Sequence, residues 1–174
     1  MLVLSNFVDN LGVKMDSEDK RMFMLRIDEK PVSNNIFYMQ SHWSKRSDLK
    51  NFWHGLVNAE LAKYGKSKIK PFKAPFVTIM YAIYKNRAHL PDLDNLMATH
   101  KLITDALVNA GILPGDGPEQ LVACIPQVRV DPTAKGTFVL YTIHQLIRGV
   151  DGLTIPGLWE SKTKEDISHF YAEI

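Results

Sequence analysis

Hydrophobic and polar residues follow one another with periods that predict an order of strands and helices. The short apolar run Met22–Ile27 predicts a strand, and the turn-forming residues after it predict a loop. Residues 47–64 carry apolar side chains at helical spacing, with Ser47 as a candidate N-cap and Gly65 where the helix would end. Residues 74–84 are rich in β-branched and aromatic side chains on both faces, which is typical of a central strand.

The pattern after residue 90 predicts a second helix and two more strands. Asp94 looks like an N-cap, and an apolar stripe then continues to Gly111, the expected glycine after the helix. Residues 120–130 and 137–146 read as strands joined by a turn, so we expect them to form a hairpin. Pro126 cannot donate to a β-ladder, which predicts an edge position or a bulge for the first of these strands.

This order of elements predicts an α+β fold with a mixed β-sheet and helices mainly on one face. The chain has 174 residues, 45% of them hydrophobic, which suits a single compact domain. We divide it into an N-terminal arm (1–20), the domain itself (21–147) and a C-terminal extension (148–174). Within the extension, residues 161–174 have the spacing of a short amphipathic helix.

Composition narrows the chemistry that this domain can support. A single cysteine, Cys124, can form neither an internal disulfide nor a zinc site, which favours a reducing, cytoplasmic setting and oxygen ligands for any metal. The net charge of +2 is too small to indicate nucleic-acid binding by itself. No apolar run approaches the roughly 18 residues that span a bilayer, so we expect a soluble protein without a membrane partner.

Two aspartates flank Leu93 where the predicted central strand has ended and the next helix begins. In extended backbone, residues two apart point the same way, so Asp92 and Asp94 would aim at one point while Leu93 faces the core. Two neighbouring carboxylates repel each other unless a cation lies between them. Oxygen ligands favour Mg²⁺ or Mn²⁺, and Mg²⁺ keeps waters that can act as nucleophiles in phosphodiester hydrolysis.

A third carboxylate is expected from the loop that follows the second helix. Asp116 is the candidate, because Gly115 and Gly117 on either side allow the backbone to bend tightly. The alternative is that Asp94 caps a helix, Asp92 is solvated and Asp116 lies in an ordinary surface turn. Spacing alone does not choose between the two interpretations.

Lys101 and Asp105 follow Asp94 by seven and eleven residues, which returns both to nearly the same side of the helix. Lys101 could stabilise charge that develops on a scissile phosphate, and Asp105 could orient the lysine or join the metal ligands. The alternative is a solvated ion pair on a helix face, which contributes little.

Basic and aromatic residues surround these aspartates along the chain. The basic candidates for binding a phosphate backbone are Lys45, Arg46, Lys66, Lys68, Lys70, Lys73, Lys85 and Arg87. Phe37, Tyr38 and Trp43 could stack on exposed bases or belong to the core. Any single lysine here could equally serve solubility alone.

Three motifs resemble the signature of the RusA-like Holliday junction resolvases, small endonucleases common in phages and prophages. They are Asp92-Leu-Asp-Asn-Leu96, Lys101-Leu-Ile-Thr-Asp-Ala-Leu107 and Ala110-Gly-Ile-Leu-Pro-Gly-Asp116, and Ser33-Asn-Asn35 is similar to a further family feature. The resemblance covers roughly residues 31–147, so the domain 21–147 is identified as a RusA-like endonuclease domain. It implies a homodimer with a Mg²⁺ site, for which Mn²⁺ can substitute, formed by Asp92, Asp94 and Asp116.

The resemblance also implies a catalytic lysine, and Lys101 would be its counterpart. Lys101 follows Asp94 by seven residues instead of the family's four, where this chain has Ala98, so it lies about 4.5 Å further along the helix. Gly115 replaces the first of the family's paired aspartates. Asn34 and Asn35 join the basic residues as candidate DNA contacts.

We therefore expect a Mg²⁺-dependent, structure-selective endodeoxyribonuclease that resolves four-way junctions by paired phosphodiester hydrolysis. Such an activity belongs to DNA recombination and repair, here in a bacterial, phage or prophage context. One alternative is a catalytically inactive module that binds branched DNA on the same fold. Another keeps the nuclease but changes its substrate to flaps or forks.

Overall fold

A computed structural model of the chain describes residues 21–39, 43–88, 90–149 and 152–154. Its strands are β1 (Met22–Ile27), β2 (Phe76–Tyr84), β3 (Leu121–Val130), β4 (Phe138–Gln145), β5 (Ile147–Gly149) and β6 (Gly152–Thr154). Its helices are α1 (Asn34–Met39), α2 (Trp43–Tyr64) and α3 (Met97–Asn109), with short 3₁₀ turns at Lys66–Lys68 and Asp94–Leu96. The predicted arm 1–20 and the helix predicted in 161–174 lie outside the described residues.

Four strands form one mixed sheet in the order β1-β4-β2-β3. Strand β4 is antiparallel to both β1 and β2, whereas β2 and β3 are parallel. The α+β class, the mixed sheet and the central position of β2 are therefore confirmed. Pro126 lies on β3, an edge strand, and pairs with Met80 of β2. This confirms the edge position that the missing N–H of proline predicted. The small β5–β6 pair was not anticipated.

The hairpin predicted for residues 120–130 and 137–146 is wrong, because β2 lies between β3 and β4. Strand β2 is apolar on both faces and has a neighbour along each edge. Its connection to β3 runs through α3, as parallel strands require. The backbone N–H of Asp131 donates to the Tyr84 carbonyl (2.8 Å), so the chain leaves β3 beside the end of β2.

The main core lies between the helices and one face of the sheet, which confirms that helices pack on one side. Trp53 of α2 and Leu107 of α3 are fully buried in it, and Phe37 of α1 packs against it. The sheet residues that contribute to this core include Leu25, Phe76, Met80, Tyr141 and Ile143. No helix in the described part of the chain is long and apolar enough to cross a membrane.

Helix ends show where local signals succeed and fail. Gly65 and Gly111 both have positive φ (72° and 74°), which confirms them as the residues after α2 and α3. Helix α2 begins at Trp43, so Ser47 is not its N-cap. Asn34 begins α1 inside the predicted loop, because Ser33 caps it through a hydrogen bond from the Ile36 N–H (3.2 Å).

Substitution of Gly111 tests the cost of a left-handed backbone. We expect Gly111→Ala to destabilise the fold by about 1–2 kcal/mol, because an L side chain is strained at positive φ. Gly55→Ala within α2 should instead stabilise it by up to about 1 kcal/mol. A Cβ at either position meets nothing within 4 Å, so only the backbone conformation distinguishes them. Urea unfolding measures both, and equal effects would contradict this account.

Candidate functional site

The acidic motif forms a tight turn between β2 and α3. Leu93 has α-helical dihedral angles (φ −63°, ψ −36°), and Asp94 begins the 3₁₀ turn. The expectation of extended backbone is therefore wrong here, and residues two apart in such a turn point in different directions. Leu93 is 51% exposed, so it does not face the core as predicted. Asp92 and Asp94 are both exposed to solvent.

The side chain of Asp94 makes no capping hydrogen bond. The N-terminal residue of the 3₁₀ turn is Leu93, and that of α3 is Leu96, and neither turn nor helix has a side-chain cap. The prediction of Asp94 as N-cap is therefore wrong. Its carboxylate is left available to a ligand, since it forms no salt bridge with any residue that the structure describes.

Lys101 lies between two carboxylates on the exposed side of α3. Its Nζ is 2.7 Å from Asp105 Oδ1, and it also donates to Asp116 Oδ2. Asp105 also forms a salt bridge with a second lysine: its Oδ2 is 3.5 Å from Lys50 Nζ on α2. The predicted pairing of Lys101 with Asp105 is confirmed. These four residues, which we call the lysine–aspartate cluster, connect α2, α3 and the loop after α3.

Lys101 and Asp105 lie further along α3 than the acidic turn. Lys101 leans towards Asp105, one turn further along α3, whereas Asp94 lies seven residues before Lys101, about 10 Å along the helix axis. The loop after α3 returns Asp116 to Lys101. Over residues 21–39, 43–88, 90–149 and 152–154, no group of three or more His, Cys, Asp or Glu side chains is placed to hold a metal ion.

The loop that carries Asp116 turns back towards α3 between two glycines. Gly115 and Gly117 lie outside the positive-φ region, so a left-handed backbone is not what the turn needs from them. Gly117 leaves room for Gln120, whose Oε1 would lie 2.7 Å from an added Cβ. The Gly117 carbonyl accepts the N–H groups of Gln120 and Leu121, both at 2.9 Å, which closes the turn before β3.

Ion pairing shifts the charge equilibria within the cluster. The hydrogen bond from Lys101 holds the pKa of the Asp116 carboxyl below its ordinary value. Hydrogen bonds to Asp105 and Asp116 raise the pKa of Lys101. Both groups are charged around neutral pH, and partial exposure to water limits what the pair contributes to stability.

Removal of the lysine tests this pairing directly. We expect Lys101→Met to raise the pKa of Asp116 towards its ordinary value, because the stabilising hydrogen bond is lost. Carboxyl carbon NMR shifts, followed against pH, measure it. Asp131 provides the control, since its pKa is lowered by hydrogen bonds from Thr133 and not by Lys101. An unchanged Asp116 titration would contradict the pairing.

A buried polar network that the sequence analysis did not anticipate lies directly behind Lys101. His100 is 3% exposed, and its Nε2 lies 2.7 Å from Thr78 Oγ1 on β2 and 3.3 Å from the Tyr141 hydroxyl on β4. Thr104 donates to the His100 carbonyl (2.8 Å) and lies 2.7 Å from the Tyr141 hydroxyl. Only the spacing of Thr104 after His100 was visible in the sequence; the strand partners were not.

The basic candidates are all exposed, and except for Lys85 and Arg87 they divide between the two ends of α2. Lys45 and Arg46 lie near its beginning, one turn before Lys50 of the cluster, while the others follow it or follow β2. The eight predicted DNA-binding cations form no salt bridge with the residues described here. The Phe72 N–H donates to the Ile112 carbonyl (2.8 Å), so the basic run ends beside the loop that leads to Asp116.

The aromatic candidates separate by burial. Phe37 packs against the core, whereas Tyr38 and Trp43 are 63% and 74% exposed. Only Tyr38 and Trp43 of these three remain available to contact bases.

Neither a protein-family model nor a curated protein sequence matches this chain. The residues themselves offer three features: an exposed acidic turn between the central strand and α3, a lysine–aspartate cluster on α3, and exposed cations on α2, after α2 and after β2.

Proposed function

We propose that this chain is a Mg²⁺-dependent endodeoxyribonuclease of the RusA-like type that resolves four-way DNA junctions. The observation that carries the proposal is the turn before α3, where Asp92 and Asp94 are exposed and form no salt bridge with a described residue. The loop after α3 folds back so that Asp116, the proposed third carboxylate, bonds Lys101 on the helix that follows this turn. The resemblance of the three motifs supports the same assignment.

The donor chemistry of the acidic turn fits a hard divalent cation. Asp92 and Asp94 offer exposed carboxylate oxygens with no described counter-ion, which Mg²⁺ prefers over nitrogen or sulfur ligands. Asp116 is the proposed third ligand, and it would have to exchange Lys101 for the metal. Mg²⁺ or Mn²⁺, when bound, supplies an activated water and stabilises charge on the phosphate.

The other candidate residues would act on the scissile phosphate or bind the DNA around it. Lys101 would neutralise charge on the scissile phosphate once it is released from Asp116, and Asp105 would orient it through the 2.7 Å contact. The exposed lysines and arginines would hold the sugar–phosphate backbones of the junction. Tyr38 and Trp43 offer exposed rings to unstacked bases.

A homodimer completes the proposal, because a four-way junction has near two-fold symmetry and needs two nicks. A two-fold axis would present one active site to each of two strands. The proposed setting is the reducing cytoplasm of a bacterium, in a phage or prophage context, where the half-buried thiol of Cys124 stays unpaired.

A second candidate function is a branched-DNA-binding module without cleavage activity. The observation that favours it is the engagement of Asp116 by Lys101, which occupies both proposed catalytic groups with each other. In this case the exposed lysines and arginines would account for DNA binding, and the acidic turn would only connect β2 to α3.

Cleavage and binding assays on the full chain separate the candidates. Four-way, three-way and linear DNA of equal length are incubated with the protein in Mg²⁺, and band shifts are measured in EDTA. Paired nicks at the four-way junction support the resolvase, and faster cleavage of flaps or forks would assign a different branched substrate. Tight binding to four-way DNA without any cleavage would support the inactive module instead.

A further inference from the structure

Three hydrogen bonds attach the chain around the start of α1 to the acidic turn and to the first residues of α3. The Val32 N–H donates to Thr99 Oγ1 (2.7 Å), and the Thr99 hydroxyl donates back to the Val32 carbonyl (3.0 Å). Asn34 Nδ2 donates to the backbone carbonyl of Asp94 at 2.6 Å. Residues 60 or more positions apart are thereby joined, and one of the bonds ends on the acidic turn itself.

The orientation of the Asn34 amide is set by its surroundings. The Asp94 carbonyl can only accept, so the NH₂ group must face it and the Oδ1 atom must point the other way. That Oδ1 is buried and has no donor among the described residues. A buried acceptor without a partner costs roughly 1–3 kcal/mol. The side chain therefore serves the Asp94 backbone at some expense to stability.

The start of α1 does not need Asn34 as a cap. Ser33 already accepts the Ile36 N–H through its hydroxyl oxygen, and the Ser33 carbonyl accepts the Phe37 N–H (3.0 Å). The neighbouring Asn35 is exposed to solvent, whereas Asn34 is half-buried and its side chain bonds the acidic turn. The two asparagines thus differ in what they contact.

We infer that Asn34 is a positioning residue that fixes the backbone of Asp94, and hence the direction of its carboxylate, for a divalent cation. The inference rests on the proposed function and changes the sequence prediction for Asn34, which was a DNA contact. Within the 3₁₀ turn the Asp94 carbonyl accepts the Met97 N–H, and the Asn34 amide adds a second restraint on the same carbonyl from outside the helix. Partners that orient metal ligands typically change metal affinity 10–100-fold when removed.

The test measures Mn²⁺ binding alone, by electron paramagnetic resonance of the free ion, on the full chain without DNA. We expect Asn34→Ala to bind Mn²⁺ about tenfold more weakly than the wild type. Asn34→Leu, which fills the same space without a donor, should show the same loss. Asn58→Ala makes the same chemical change at an exposed position on α2 and should leave Mn²⁺ affinity unchanged.

Junction binding in EDTA provides a second readout that distinguishes positioning from DNA contact. Both Asn34 variants should bind four-way DNA as the wild type does, with melting temperatures close to it. Wild-type Mn²⁺ affinity in both folded variants would overturn the inference, and so would weaker junction binding without a change in metal affinity. A wild-type chain that binds no Mn²⁺ would instead overturn the proposed metal site.

Discussion

Asp92→Asn is expected to abolish DNA cleavage and leave junction binding intact. The exchange keeps the shape of an exposed side chain but removes one negative charge from the acidic turn. A carboxylate ligand to a catalytic cation is worth several kcal/mol in the transition state, which corresponds to a loss of roughly a thousandfold in rate. Single-turnover cleavage of a four-way junction in Mg²⁺ measures this loss, and a band shift in EDTA measures binding.

Asp48→Asn is the matched control for this prediction. Asp48 is exposed on α2 and forms no salt bridge with a described residue, so its loss removes the same charge away from the turn. It should retain the wild-type cleavage rate. If Asp92→Asn cut junctions as fast as Asp48→Asn does, the acidic turn would not be the metal site.

Acid should lower the free energy of unfolding because the unfolded chain protonates His100 more readily than the folded chain does. The substitution His100→Gln measures the size of this effect. Burial is the main cause that lowers the pKa of His100 to about 4, and the charge of Lys101 adds to the effect. The unfolded chain should titrate near the ordinary value of 6.5. The difference corresponds to about 3 kcal/mol of stability at most.

The sign follows from which state takes up the proton. Above pH 6.5 the imidazole is neutral in both states, and its contribution to stability is fully present. As the pH falls from 6.5 to about 4, the unfolded state binds a proton that the folded state refuses, so stability declines. The free energy of unfolding should fall by up to about 1.4 kcal/mol per pH unit from this residue.

Urea unfolding between pH 7 and pH 4.5 tests this prediction by comparing slopes. His100→Gln removes the titrating group, so its stability should depend on pH less steeply than that of the wild type. His144→Gln is the comparison, because burial also lowers the pKa of His144, though it lies outside the network of Thr78 and Tyr141. Identical slopes for His100→Gln and the wild type would show that His100 is not held neutral.

The elements were predictable where the local signal and the tertiary environment agree. Strand β2 was visible because a strand buried on both faces has a continuous apolar run, and the ends of α2 and α3 were visible because Gly65 and Gly111 adopt left-handed backbone. The start of α2 was not, because Trp43 precedes the apparent cap Ser47 and no local rule forbids an earlier start.

Pairing between strands was harder to predict than the strands themselves. Two adjacent strands joined by a turn favour a hairpin, yet β4 pairs with β2 and β1 instead of β3. An apolar strand can satisfy its backbone with any neighbour of suitable register, and the local hydrophobic pattern does not specify which neighbour the whole sheet provides. The edge position of β3 was the exception, because Pro126 limits pairing by covalent chemistry.

By itself, the sequence determined which residues are available: the carboxylates of Asp92, Asp94 and Asp116, the spacing that pairs Lys101 with Asp105, and the elements that carry them. Only the tertiary structure decided that the acidic turn is helical, that Asp116 bonds Lys101, and that Asn34 holds the Asp94 carbonyl. Side-chain identity and helical spacing are local properties of the chain. A contact between residues 15 or 60 positions apart depends on how the loops close, which local patterns do not specify.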